Sequence, residues 1–108
     1  MMKRHLKMYL PVLEYVHSLE KNRRKQHVLK MRDNVLKFVI DLLLNVDRGV
    51  LPVDDATIAQ LRPYKNVIKS LTAPKKSLRQ RRREFEKRDY FKLLISPLIP
   101  AIQQMLVP

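Results

Sequence analysis

The sequence predicts an all-α protein: a compact three- to four-helix bundle with a basic helix and a proline-punctuated apolar C-terminal tail. Two observations carry the fold class. A single glycine in 108 residues leaves hairpin turns almost nothing to build on. Apolar residues recur at steps of three and four rather than two, and prolines mark the corners between these runs.

Taken in order, the first helix is expected to open near Pro11, a residue suited to a first turn, with Val12, Leu13, Val16 and Leu19 on its apolar side. A basic corner, Lys21-Asn22-Arg23-Arg24-Lys25, follows. Val28, Met31, Val35, Phe38 and Leu42 then predict a second helix. Val39, Ile40, Leu43 and Leu44 widen it to nearly all-round apolarity, as at the buried centre of a bundle. It should stop at Asp47-Arg48-Gly49, where Gly49 can take the left-handed cap conformation.

After the link Val50-Leu51-Pro52-Val53, Asp54 or Asp55 can cap a third helix. Its apolar positions are Ile58, Leu61, Tyr64, Ile68 and Leu71, and Pro63 should kink or split it. Thr72-Ala73-Pro74 closes that element. Ser77 and Gln80 form a capping box that opens a fourth helix. With only Leu78 and Phe85 as anchors among many cations, that helix is expected to be largely solvated until something acidic covers it. Residues 90–108 are mostly apolar, carry one charge at Lys92, and are interrupted by Pro97, Pro100 and Pro108. The expected organisation is a helical bundle over 1–73, a basic helix over 74–89 and an apolar tail over 90–108.

Composition narrows the function. Lys and Arg number 23 against 10 Asp and Glu, a formal net charge of +13. Such an excess destabilises a compact chain by self-repulsion and implies an acidic partner. A hydrophobic content of 45% fits a folded chain. Cysteine is absent, so there is no disulfide, thiolate metal site or thiol nucleophile. The basic start resembles a signal peptide, but Pro11, Glu14 and His17 break its apolar stretch and no small-residue cleavage site follows, so none is expected. No uncharged apolar run reaches the ~18 residues of a membrane-spanning helix.

The cations are clustered, and the clusters are the candidate phosphate-binding site. The first contributes Lys21, Arg23, Arg24 and Lys25, with Lys30 and Arg32 beyond. The second contributes Lys75, Lys76, Arg79, Arg81, Arg82, Arg83, Lys87 and Arg88 against Glu84 and Glu86. Its arginines suit bidentate phosphate contact. Aromatic interleaving is thin, with Phe85 and Tyr90 the only neighbours. Backbone contact without base readout is therefore the expected mode. If ~6 to 8 phosphates are neutralised, the salt slope on duplex DNA is about −5 to −7. No helix joins a basic flank to Asn, Gln and Arg spaced for base edges, which weighs against a sequence-specific regulator.

Catalysis is not expected. His5, His17 and His27 follow no metal-ligand spacing, Asp54-Asp55 is explained by capping, and one glycine provides neither a phosphate-cradling loop nor a nucleophile elbow. No metal or cofactor is implied. The tail residues Phe91, Leu94, Ile95, Leu98, Ile99, Ile102 and Leu106 have two readings. They fold back as core, or they form an exposed patch for self-association, capsid attachment or non-spanning membrane contact.

The order YLPVLEYVHSL, KNRRKQHVLK, NVDRGVLPVDDATIAQLRPYKNVIKSLTAPKKSLRQRRR and FKLLISPLIPAI resembles small basic proteins encoded by Maverick/Polinton-type elements and related animal viruses. The pieces that carry it are Asn45, Gly49, Val50 and Pro52, the pattern from Leu61 to Lys65, and the basic turn from Lys75. Phe91 to Ile102 is similar to the apolar tail of adenoviral core protein X precursors. The resemblance implies a virion-core or nucleic-acid-condensing protein, places condensation on Arg79, Arg81, Arg82 and Arg83, and implies a nuclear or virion location. The expectation is thus a non-enzymatic protein that binds nucleic acid, DNA in preference to RNA. The alternative is a structural protein that docks on a protein shell or anionic membrane through its tail.

Overall fold

The computed structural model describes residues 2–107, and every regular element among them is helical. Pro108, one of the prolines expected to punctuate the tail, lies outside the described residues.

Helix α1 (Met2–Ser18) begins well before Pro11 rather than at it. Leu6 extends the apolar stripe of Leu13 and Val16 by two turns towards the N-terminus, and all three are buried. Pro11 therefore lies mid-helix on the exposed side, where it lacks the N–H that would pair with the Lys7 carbonyl.

The single helix expected from Val28 to the stop at Asp47-Arg48-Gly49 is two helices, α2 (Lys21–Leu29) and α3 (Asp33–Asp47), and the expected basic corner Lys21–Lys25 is the first part of α2. The chain turns at Lys30–Arg32, and the Asn34 side chain accepts from the backbone N–H of Val35 at 3.0 Å. Val28, Met31 and Val35 are all buried across this corner. The apolar stripe is real, but a tight corner carries it as well as a continuous helix does. Helix α3 buries seven side chains, from Val35 to Leu43, and is the central element. It ends as expected at Gly49, with φ +72°. The N–H of Val50 reaches the Asn45 carbonyl (2.9 Å) and that of Gly49 the Val46 carbonyl (3.1 Å), a Schellman arrangement.

Asp54 caps α4 (Asp55–Leu61) by accepting from Thr57 N–H at 2.8 Å. Pro63 splits the third expected helix, with a 3-10 turn at Arg62–Tyr64 leading into α5 (Lys65–Leu71). Ile58, expected on its apolar side, is 41% exposed.

The Ser77–Gln80 capping box opens α6 (Leu78–Glu86). The expectation that this basic helix is largely solvated fails. Phe85 is completely buried, with its ring edge-on to Phe91 at 5.8 Å, and the helix packs against α2, α3 and α5. A 3-10 turn at Lys87–Asp89 follows, in which Arg88 (φ 52°) and Asp89 (φ 56°) are both left-handed.

Helices α7 (Tyr90–Ile95) and α8 (Leu98–Leu106) make up the apolar segment. Pro97 occupies the N-cap of α8 and Pro100 its first turn, where no backbone N–H is needed. The exposed-tail reading is overturned. Phe91, Leu94, Ile95, Leu98 and Ile102 are at most 1% exposed, and Ile99 and Leu106 pack half-buried against them. Helix α8 closes onto α1, so the chain's two ends seal one core running from Leu6 to Ile102. The segments 1–73, 74–89 and 90–108 therefore share that core rather than packing separately. The radius of gyration, 12.9 Å, matches the ~13 Å of a single domain of this length. Among the described residues no helix is long and apolar enough to cross a membrane.

Candidate nucleic-acid interface

The two basic clusters, about fifty residues apart in sequence, lie side by side because α2 and α6 pack against each other. Val28 and Phe85 bury the inner edges of the two helices. Lys25 meets Glu86 at 3.5 Å near one end of the seam. Towards the other end, the Arg82 guanidinium donates to the Met31 carbonyl at 2.6 Å and pairs with Asp33. The later part of α6 thus faces the earlier part of α2, and the helices run antiparallel.

The structure divides the twelve candidate cations into two groups. Lys21, Arg23, Lys25, Lys75, Arg79, Arg83, Lys87 and Arg88 are exposed. On α2, Lys21 and Lys25 are one turn apart; Arg79 and Arg83 are one turn apart on α6, with Lys87 continuing the row past its end. Arg83 and Lys87 also border an open cleft against Ser70 of α5.

The other four hold the fold together. Arg24 is 3% exposed, and its placement among free phosphate ligands is corrected. Its Nε and Nη2 donate to the two carboxylate oxygens of Asp89 at 2.9 and 2.6 Å, and Nη1 donates to the carbonyls of His17 (3.2 Å) and Leu19. One side chain thus ties the end of α1 and the start of α2 to the left-handed turn before α7. Arg82 is half-buried at the seam, and Arg81, also half-buried, donates to the Ala73 carbonyl at 2.6 Å. Lys76 donates to Glu84 at 2.5 Å and to the Ser70 hydroxyl. The resemblance placed condensation on Arg79, Arg81, Arg82 and Arg83; Arg79 and Arg83 point to solvent, whereas Arg81 and Arg82 are engaged internally.

The acids follow the same division. Asp33, Glu84, Glu86 and Asp89 each pair with a cation of the seam or its flanks. The bond from Arg24 holds the Asp89 carboxyl below its ordinary range and raises Arg24 further. The bond from Arg82 lowers Asp33.

Two further features lie outside the predicted set of residues. Lys3, Arg4 and Lys7 are exposed on the first turns of α1; the four-residue step from Lys3 to Lys7 was a readable sign of a shared face. A cleft between α1 and α2 is lined by Tyr15, Leu19, Arg23, Gln26, His27 and Lys30. No local pattern signals it, since it exists only once the two helices are folded together. Of the two aromatics considered for stacking, Phe85 is buried and Tyr90 sits half-buried against Tyr64 at 6.4 Å.

Among the described residues, no group of three or more His, Asp or Glu side chains is placed to hold a metal ion. His17 is hydrogen-bonded to the Ser96 hydroxyl at 2.6 Å, His27 lies against Tyr15 and His5 near Tyr9. No protein-family model matches the chain, and no curated protein or solved structure is significantly similar to it.

Proposed function

We propose that the α2–α6 face binds the phosphate backbone of nucleic acid, without sequence preference and without catalysis. The observation that carries this is the division of charge at the seam. The acids there pair with Lys25, Lys76, Arg82 and buried Arg24, while Lys21, Lys75, Arg79, Arg83, Lys87 and Arg88 are exposed and form none of the ion pairs among the described residues. The free row Arg79, Arg83 and Lys87 along α6, beside Lys21 of the antiparallel α2, matches a strand of phosphates rather than a single anion. Duplex DNA is the proposed partner. Condensation in a nucleus or virion is the proposed setting, supported by the order of motifs resembling Maverick/Polinton-type and viral core proteins. Docking on a shell or membrane through residues 90–107 is not proposed, because the side chains it needs are core.

The test is binding to a random-sequence duplex across a salt series. If six phosphates are engaged, the log–log slope is about −5. Arg79/Arg83/Lys87→Gln should reduce its magnitude by about 2 to 3 and weaken unrelated duplexes equally. Arg62/Lys65/Lys69→Gln, an exposed triple on α4–α5, removes the same charge elsewhere and should change the slope by less than about 1. Equal losses from both triples would mean that only net charge matters and would overturn the assigned face.

A further inference from the structure

Helix α2 has two working sides. One meets α6; the other, carrying Arg23, Gln26 and His27 with Lys30 just past its end, forms the cleft against Tyr15 of α1 and Leu19 in the turn after it. Tyr15 is 52% exposed, so its ring is open to a ligand. Its ring stands nearly edge-on to His27, with centroids 5.7 Å apart and planes at 67°. The cleft therefore offers aromatic and aliphatic surface, a neutral amide able both to donate and to accept, and a cation towards each end of the α2 wall. No acid lines it. Arg23 and Lys30 are seven residues apart, about 10 Å along a helix. Beyond His27 and Lys30 the surface continues into a second groove that includes Met8, Tyr9 and Arg32.

We propose that this cleft takes an unstacked base of single-stranded nucleic acid. The base would lie against Tyr15, the Gln26 amide would reach its edge, and Arg23 and Lys30 would hold the flanking phosphates. This rests on nucleic acid being the partner of the adjoining α2–α6 face, and it adds a preference for unpaired strands that the face alone does not supply. A π-face accepts any base, so the cleft is tolerant of sequence. Paired bases in a duplex are stacked and closed to it.

The experiment uses the full chain with three fluorescent probes: a twelve-nucleotide single strand, the same strand with abasic residues, and a random duplex. The wild type should bind the normal strand at least about 5-fold more tightly than the abasic one, the low end of one base stacked on an aromatic ring. Tyr15→Ala should remove that difference and leave duplex affinity within about 2-fold, whereas Tyr15→Phe should retain it. Tyr15 is exposed, so the variants should fold, and circular dichroism checks this. Equal wild-type affinity for normal and abasic strands, or equal losses of strand and duplex in Tyr15→Ala, would overturn the cleft. Either result, with duplex binding still sensitive to Arg79/Arg83/Lys87→Gln, would leave the phosphate-binding face standing. No binding of any probe by the wild type would overturn both.

Discussion

Replacing Asp89 by Asn tests the most consequential reassignment in the molecule, that of Arg24 from phosphate ligand to internal tie. Asn tolerates the left-handed backbone at φ 56° about as well as Asp and keeps one acceptor, so the substitution isolates the charge. Removing one member of a fully buried pair costs about 3 to 5 kcal/mol. Here the two side chains are 4% and 21% exposed, and Arg24 keeps its bonds to His17 and Leu19. The expected loss is therefore nearer ~1.5 to 3 kcal/mol, the range for one hydrogen bond to a charged group. For a chain of this length that lowers Tm by about 10 °C. Urea denaturation of the wild type, Asp89→Asn, Arg24→Met and the double variant would measure it, with an expected coupling of about 2 kcal/mol. Asp89→Asn within about 0.5 kcal/mol of wild type, with no coupling, would refute the buried tie and return Arg24 to the candidate phosphate ligands.

Other outcomes follow from the packing. Pro11→Ala should stabilise the protein by about 1 to 3 kcal/mol, because it restores a backbone bond mid-helix at an exposed site; a midpoint shift in urea reads it. Truncation after Asp89 should abolish cooperative unfolding, since it removes five core side chains between Phe91 and Ile102, and circular dichroism melts would show this. Stability should also fall with acid in two stages. Burial, then the charges of Lys92 and Arg24, holds His17 below its ordinary 6.5. The unfolded chain therefore binds this proton more readily, so stability is complete above pH 6.5 and declines as pH falls below it. His17→Gln should flatten that stage. Asp33, Asp54 and Asp89 are held below their ordinary 3.8. Their contribution is present above that value and is lost as pH falls through the lowered ones.

The elements legible in the sequence are those whose cause lies within a few residues. Gly49, Asp54, Pro63 and the Ser77–Gln80 box each act through bonds to near neighbours, and each terminates or opens a helix where expected. The corner at Met31 was hidden because three- and four-residue spacing does not register the break in the helix. The site was half legible in the same sense. One-turn spacing picks out Arg79 and Arg83 as a row, but nothing in an arginine run marks Arg82 as the one that reaches Met31, 51 positions away. Nor does it mark Arg24 as the partner of Asp89, 65 positions away.

The seam explains how two cation-rich helices pack together in so basic a chain. Packed helices have axes about 8 to 10 Å apart, so two cation-rich helices laid together would repel unless acids intervene. Glu86, Asp33 and Asp89 do so from within or beside the seam, and Glu84 neutralises Lys76 on the far side of α6. Neutralisation at the seam leaves the remaining cations unbalanced, so one arrangement both permits the packing and exposes the charge on which the proposed binding rests. Folding and binding should then respond oppositely to salt. Between about 0.05 and 0.3 M, screening shortens the reach of repulsion among exposed cations to below ~10 Å, while the sheltered Arg24–Asp89 pair is affected less. Tm of the free protein should therefore rise with NaCl over the range in which duplex affinity falls. A Tm that fell in step with affinity would mean that the exposed pairs Lys25–Glu86 and Arg82–Asp33 outweigh the repulsion among the free cations.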